Sequence, residues 1–413
     1  NSHEQRVAEI LREEGFSFIS QSAMLSPEIK IVPRAITTDV NAYLNPIMEH
    51  YLSRISDVIG GQSLRVMSSG GHLVEAGYYQ PKDGLLSGPA GGVIGAAAIG
   101  EKVAKNRSGV AQQKSDSNSS QTDTSEENLA GFEKIISFDM GGTSSDVARY
   151  DGAIDYVYEH EVGDARLTAP AVEIETVASG GGSICGFDGQ SLTVGPESAG
   201  ADPGPACYGR GGPLTITDVN LLSGRLHPSN FYLSMDVDAA EKRLKEILDR
   251  AGHISREDVL EGYRDIANER MAQAIRTISI QKGFDPADYS MVAFGGAGAQ
   301  HATSIAAKLG ISRVLVPADA GLLSAYGLRE ARLEEIATRQ VMQPLHSIES
   351  KIAQWVQELE QRASEDLIDQ GVPGDQVEVT SRRLFLRFSG QDTSLEIEYP
   401  KDGDIAKTFK ERY

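Results

Sequence analysis

The chain is poor in cysteine, in aromatics and in positive charge, and each shortage excludes something. Cys185 and Cys207 are its only cysteines, too few for a disulfide scaffold and in keeping with a reducing, cytoplasmic setting. Lys and Arg number 39 against 59 Asp and Glu, a formal net charge of -20. That surplus argues against nucleic acid or an anionic membrane as the main partner. No apolar run reaches the length of a membrane span. The opening NSHEQRVAEILREEG is polar and helical, with no signal-peptide pattern. No GxGxxG follows a first strand, and no Lys-Ser/Thr closes a glycine loop, so neither a Rossmann nor a Walker A site is present. His160, His227 and Cys207 lack zinc-like spacing. No internal repeat stands out.

What is present suits a globular α/β protein. The 413 residues, 40% hydrophobic and 24% charged, call for two or three domains. Apolar spacing predicts helices over His3–Glu14, Thr38–Ile55 (broken near Pro46), Asp238–Ala251, Arg256–Lys282, Gln300–Leu309 and Ile352–Gln370. Strands are expected at Phe16–Ala23, Leu64–Met67, Met291–Phe294 and Val314–Pro317, with a closing pair at Gln376–Phe388 and Ser394–Tyr399. A glycine-rich run of small residues over Leu85–Ile99 either aims backbone amides at a ligand or lets helices pack closely. Residues Lys102–Asn128, rich in Ser, Gln, Asp and Thr, read as a disordered surface insertion.

The most informative segment is KIISFDMGGTSSDVARYDG, residues 134–152. An apolar run leads into Asp139, a turn follows at Gly141, Gly142 and Thr143, and a second run leaves through Asp146. Glycines beside a carboxylate between two strands let backbone N–H groups approach an anion. The two aspartates repel phosphate, so they suit Mg²⁺ ligation or the orientation of a water. A plain Gly-Gly hairpin is the alternative. A second cluster, Gly295, Gly296 and Gly298, lies between a strand and a helix, where bare backbone and a helix N-terminus share one space. His301 follows it. A helix N-terminus favours its neutral form, which acts near a substrate or simply packs. Gly181, Gly182 and Ser183, with Asp202 and Asp218, form the densest small-residue region, suited either to wrapping a ligand or to a tight turn. Cys207 reads as a buried structural thiol, since no base is visible beside it.

Several stretches carry a family resemblance: LLSGPAGGVIGAA at 85–97, SFDMGGTSSDVARY at 137–150, the long SGGGSI…VGPESAGADPGPACYGRGGPLTITDVNLLSGRL at 179–226, VAFGGAGAQHA at 292–302, GLLSAYG at 321–327 and LRFSGQDTSL at 386–395. In this order the chain resembles the hydantoinase/5-oxoprolinase family, whose fold is similar to actin, sugar-kinase and chaperone ATPases. The resemblance implies an α/β, ribonuclease-H-like ATPase lobe with a small C-terminal α+β domain. Full-length members begin with an earlier Asp-Gly-Gly-Thr hairpin that this chain lacks. The chain is therefore expected to be a piece of a longer polypeptide. Residues 1–60 would end the first lobe, 61–340 would form the second nucleotide-binding lobe, and 341–413 would form a truncated C-terminal domain.

By the same resemblance, Gly141, Gly142 and Thr143 would hold the phosphates of ATP and Gly295, Gly296 and Gly298 its adenosine end. Asp139 and Asp146 would be catalytic, with Asp139 meeting Mg²⁺ through the nucleotide. Gly181, Gly182, Ser183, Asp202, Asp218 and His301 would face substrate. The implied chemistry is ATP-driven opening of a cyclic amide, 5-oxo-L-proline to glutamate or a hydantoin to an N-carbamoyl amino acid, through phosphorylation of the amide oxygen. A hydantoinase B type subunit or domain is the implied partner, and a homo-oligomer is compatible with the pattern. The 413 residues alone are expected to be inactive. A ketone-carboxylase ATPase subunit and a non-catalytic nucleotide-binding regulatory module are the rival readings.

Overall fold

Helices open the chain. In a computed structural model describing residues 2–26, 31–60, 62–115, 132–231, 234–252, 254–391, 394–400 and 403–413, α1 (Ser2–Glu13), α2 (Ser22–Leu25) and α3 (Ile31–Val58) lead to β1 (Arg65–Met67) and β2 (Leu73–Glu75). Then come α4 (Ser87–Ser115), β3 (Lys134–Met140), β4 (Ser145–Asp151), β5 (Tyr156–Val162), β6 (Ala165–Val172), β7 (Glu175–Val177), β8 (Ser183–Phe187) and β9 (Leu192–Ser198). Helices α5 (Ile216–Leu222), α6 (Val237–Ala251) and α7 (Arg256–Ile278) precede β10 (Ser290–Phe294), α8 (Gly295–Leu309), β11 (Val314–Leu315) and α9 (Leu323–Glu330). The chain closes with α10 (Leu345–Asp369), β12 (Arg383–Leu386), β13 (Leu395–Glu398) and α11 (Ile405–Arg412).

The centre is a five-stranded sheet in the order β11–β10–β3–β4–β7. Strands β11, β10 and β3 run parallel, and β4 and β7 continue the sheet antiparallel. The β3 run is apolar on both pleat faces because helices cover both. Ile136 and Phe138 join Met271 and Ile275 of α7 and Ala302 of α8 in one core, while Ile135 joins Ala96 and Ala97 of α4 and Leu323 of α9 in another. This is the ribonuclease-H-like arrangement, and it brings the C-terminal ends of β3 and β10 together at one edge.

The small residues of α4 serve close packing. A Cβ on Gly327 of α9 would lie 1.8 Å from the Gly91 carbonyl oxygen, and one on Gly95 would lie 2.6 Å from that of Leu323. Of the two readings of Leu85–Ile99, helix contact is the one realised along this stretch. The helix then runs on to Ser115, so the insertion expected from Lys102 does not begin there. Residues 116–131, which hold all of its remainder, lie outside the described residues.

Other boundaries differ for local reasons. The strand expected at Phe16–Ala23 is absent. Glu4 of α1 accepts from the Ser22 hydroxyl and from the Ala23 N–H at 3.0 Å, starting a helical turn instead. Helix α3 continues through Pro46; Ala42, whose carbonyl loses its donor there, is exposed, so water can satisfy it. Helix α3 is also tied across the boundary expected at residue 60. The Thr168 N–H donates to Thr37 Oγ1 at 2.9 Å, and the Lys82 N–H donates to Asn41 Oδ1 at 3.1 Å. Beyond residue 340, Ile348, Ile352, Ile397, Ile405 and Phe409 form a separate small core. This C-terminal unit touches the rest where Phe385 meets Tyr158 edge-on, with ring centroids 4.9 Å apart.

Candidate active site

Strand β3 delivers Asp139 to the edge of the sheet, and β4 begins there with Asp146. The antiparallel register sets the two residues directly opposite each other, so their carboxylates share one small region. Burial, and then the charge of Asp146, pushes the Asp139 carboxyl up to about 6. Burial also raises Asp146, opposed by the Thr176 hydroxyl, which donates to Asp146 Oδ1 at 2.6 Å. Two half-buried carboxylates side by side form an arrangement that a hard cation relieves.

The turn between them is Gly141–Ser144, closed by Gly141 N–H donating to the Ser144 carbonyl at 3.0 Å. Gly142 and Thr143 are exposed, and a Cβ on Gly142 would meet nothing within 4 Å. The turn therefore presents bare backbone to open space, as an anion cradle requires. Its rigidity comes from behind. The Gly181 and Gly182 N–H groups donate to the carbonyls of Gly141 and Gly142 at 3.0 and 2.6 Å. A Cβ on Gly180 would collide with the backbone of Gly142 and Thr143 at 2.7 Å. Thr217 in turn donates its N–H and hydroxyl to the Gly181 carbonyl, at 2.7 and 2.8 Å.

The second glycine cluster is the first turn of α8, where a preceding loop was expected. Gly295 has φ +78°, and a Cβ there would lie 2.3 Å from Asp139 Oδ1 and 2.5 Å from the Met140 carbonyl oxygen. Glycine at this position is what allows the helix N-terminus to meet the aspartate. Gly296 is exposed, with open space where its Cβ would be. Gly298 is buried, its Cα facing the Phe138 carbonyl, and so serves packing. The two glycine clusters and the two aspartates thus converge on one edge.

Most residues expected to face substrate have structural duties. Gly181 and Gly182 are buried behind the turn, and the Ser183 hydroxyl accepts from the Gly180 N–H at 2.9 Å. Asp218 is fully buried. Its carboxylate accepts from the N–H groups of Ala206, Cys207 and Thr215 and from the Thr215 hydroxyl, at 2.7 to 3.1 Å. His301 is also buried. Its Nδ1 meets Asn268 Oδ1 at 2.7 Å and its Nε2 meets Asn220 Nδ2 at 2.9 Å. An acceptor on one side and a donor on the other select the neutral Nδ1–H form. Burial, with Arg225 and Arg264, lowers its pKa to about 4. This histidine joins α5, α7 and α8 and has no free nitrogen to offer a substrate. Asp202 is exposed. Both cysteines are buried, and burial followed by Asp218 raises both thiols, so neither is an activated nucleophile.

Sequence reading missed Thr176 and Thr217. Thr217 had a local signal, since it lies inside the Thr215–Asp218 capping box that opens α5. Thr176 lies in a strand of three residues, too short to show a period.

Among the described residues, no group of three or more His, Cys, Asp or Glu side chains is gathered for a metal, and no helix is long and apolar enough to cross a membrane. Asp139 and Asp146 do fit a Mg²⁺ whose other ligands are water and phosphate oxygens, the usual environment of that ion.

A sheet of this order, with an aspartate hairpin and a helix N-terminus at one edge, defines the actin-like ATPase class of fold. Within it, the hydantoinase/oxoprolinase family profile matches residues 34–111 and 123–337, and the chain belongs to that family. The 5-oxoprolinase of Dictyostelium discoideum is 38% identical over all of this chain, which covers 33% of that protein. The chain thus spans about a third of this relative's length. Among solved structures, the ATP-dependent caprolactamase from Pseudomonas jessenii superposes with a TM-score of 0.76 at 28% identity, covering 100% of this chain and 59% of that one. A nucleotide-free acetone carboxylase gives 0.68 at 26% identity, covering 99% and 58%.

Proposed function

We propose that the chain is the nucleotide-handling part of an ATP-dependent enzyme that opens a cyclic amide, 5-oxo-L-proline to glutamate or a hydantoin to an N-carbamoyl amino acid. The observation that carries this reading is the convergence of Asp139, Asp146, the bare Gly142–Thr143 backbone and the α8 N-terminus in a member of this family. ATP, when bound, would supply a phosphoryl group to the amide oxygen, making the ring carbon electrophilic enough for water to attack and the ring C–N bond to break, with phosphate released. The chain's own part is positioning. Gly142 and Thr143 offer backbone N–H groups to phosphate, Gly296 at the α8 N-terminus meets the adenosine end, Asp139 and Asp146 hold Mg²⁺, and Thr176 keeps Asp146 in place. Ring opening calls on a hydantoinase B type subunit or domain, which is the partner proposed here.

A second reading, phosphorylation in support of ketone carboxylation, is favoured by the likeness to acetone carboxylase. One experiment separates the two. The chain is combined with its hydantoinase B type partner and Mg-ATP, and phosphate release is followed with 5-oxoproline, hydantoin, or acetone plus bicarbonate. Glutamate or an N-carbamoyl amino acid supports the proposal, and consumption of bicarbonate supports the second reading. Asp139→Asn should weaken Mg-ATP binding at least tenfold while the protein stays folded. Unchanged binding would return the turn to an ordinary hairpin.

A further inference from the structure

The residues that close α5, Ser223–Leu226, take no part in the phosphate turn, yet they are tied closely to α8. Gly224, at φ +71°, turns the chain back on itself. The N–H groups of Arg225 and Leu226 then both donate to the Asn220 carbonyl, at 2.9 and 3.2 Å. Asn220 in turn bonds through Nδ2 to the buried His301 of α8 at 2.9 Å. The backbone of Arg225 is thus anchored to α8 through the buried histidine bridge.

The side chain is anchored to the same helix. Arg225 Nη1 donates to the Gln300 carbonyl at 2.9 Å, and Gln300 Nε2 reaches back to the Gly296 carbonyl at 3.4 Å. Gln300 lies about 6 Å along the helix axis from Gly296, at 1.5 Å per residue. Gly296 is exposed, with open space where its Cβ would be. The guanidinium therefore stands about one turn from the bare backbone at the α8 N-terminus.

Its charge and its faces are unused. Arg149, Arg243, Arg256 and Arg276 each meet a carboxylate, whereas Arg225 forms no ion pair among the described residues. Arg149, Arg339 and Arg383 each lie over an aromatic ring, whereas Arg225 lies over none among the described residues and is exposed. The positive potential is felt at His301, whose pKa is lowered by burial and then by Arg225 and Arg264, with no carboxylate opposing them. A guanidinium is planar, permanently charged and weakly hydrated, so its free face attracts the π-face of a ring. Main-chain bonds hold this one in place, which reduces the rotamer freedom that stacking would cost.

We propose that Arg225 is the stacking platform for the base of the bound nucleotide, its guanidinium lying against one face of the purine ring while Gly296 meets the sugar. The inference rests on the nucleotide reading of the site and adds to it the residue that holds the base. The phosphates belong to the Gly142–Thr143 turn, so Arg225 acts on the base alone.

The test is calorimetry on the chain combined with its hydantoinase B type partner. The probes are Mg-ATP and Mg-tripolyphosphate, which keeps the phosphate charge and lacks ribose and base. Arg225→Met should weaken ATP at least tenfold, as loss of a base stack does, and leave tripolyphosphate unchanged. Arg225→Lys keeps the charge but not the plane, so its ATP affinity should stay well below that of the unmodified protein. Asp139→Asn should weaken both probes. A parallel loss of tripolyphosphate in Arg225→Met, or full recovery of ATP binding in Arg225→Lys, overturns the proposal. A merely structural role would lower the affinity for both probes together with the melting temperature, and also overturns it. If ATP binds and Arg225→Met leaves its affinity unchanged, this inference fails and the nucleotide reading stands. If the unmodified protein binds neither probe, the nucleotide reading fails and this inference with it.

Discussion

Replacing His301 tests how the edge of the site is held together. The ring bridges Asn268 and Asn220 in a buried pocket with a pKa lowered from 6.5 to about 4. His301→Leu would leave the Asn268 carbonyl and the Asn220 amide without that partner. At about 1–3 kcal/mol for each of the two stranded groups, the expected loss at pH 7 is about 2–6 kcal/mol. The pH dependence is the sharper part. A base whose folded pKa is depressed binds fewer protons folded than unfolded, so its contribution is complete above 6.5. It is lost as pH falls towards 4 and then levels off. Between pH 7 and pH 4.5 the histidine should cost the unmodified protein about 2.5 kcal/mol, at 1.36 kcal/mol per pH unit. The variant carries no such cost, so the stability gap should narrow by that amount. Urea unfolding of both proteins at the two pH values measures it. Parallel shifts at both pH values, or equal stability at pH 7, would refute the bridging role.

Three further substitutions follow from the packing. Gly327→Ala places a methyl group 1.8 Å from the Gly91 carbonyl oxygen, so α4 and α9 must separate; a loss of about 3 kcal/mol or more is expected by urea unfolding. Gly295→Ala combines a strained φ with a collision against Asp139. It should lower the melting temperature and weaken Mg-ATP binding in calorimetry at least tenfold, and an unchanged affinity would detach the α8 N-terminus from the nucleotide site. Thr217→Val removes the hydroxyl bond to the Gly181 carbonyl but keeps the backbone bond. It should cost about 1 kcal/mol of stability and raise the nucleotide Kd only a few-fold; a loss as large as that of Asp139→Asn would make Thr217 a direct ligand.

Where local chemistry decides, the sequence is a good guide. The apolar run ending at Asp139, the glycine pair after it, and the strand–glycine–helix succession at residues 291–309 all lie as their residue types dictate. It says less about which polar side chains are already engaged, whether by near neighbours or by distant ones. Asp218 and Ser183 look like ligands because they are polar among glycines, yet their atoms are used by Ala206, Cys207, Thr215 and Gly180. His301 looks free for the same reason, although its partners lie 33 and 81 residues away.

By itself, then, the order of residues determined the two strands and the glycine turn that carry the aspartates, since backbone geometry and alternation are local. Only the tertiary structure decided which glycines face open space and which press against another backbone. Gly142 and Gly296 are open, while Gly180, Gly298 and Gly327 are packed. The residue type is identical in each case. What differs is the neighbour brought there by a distant part of the chain.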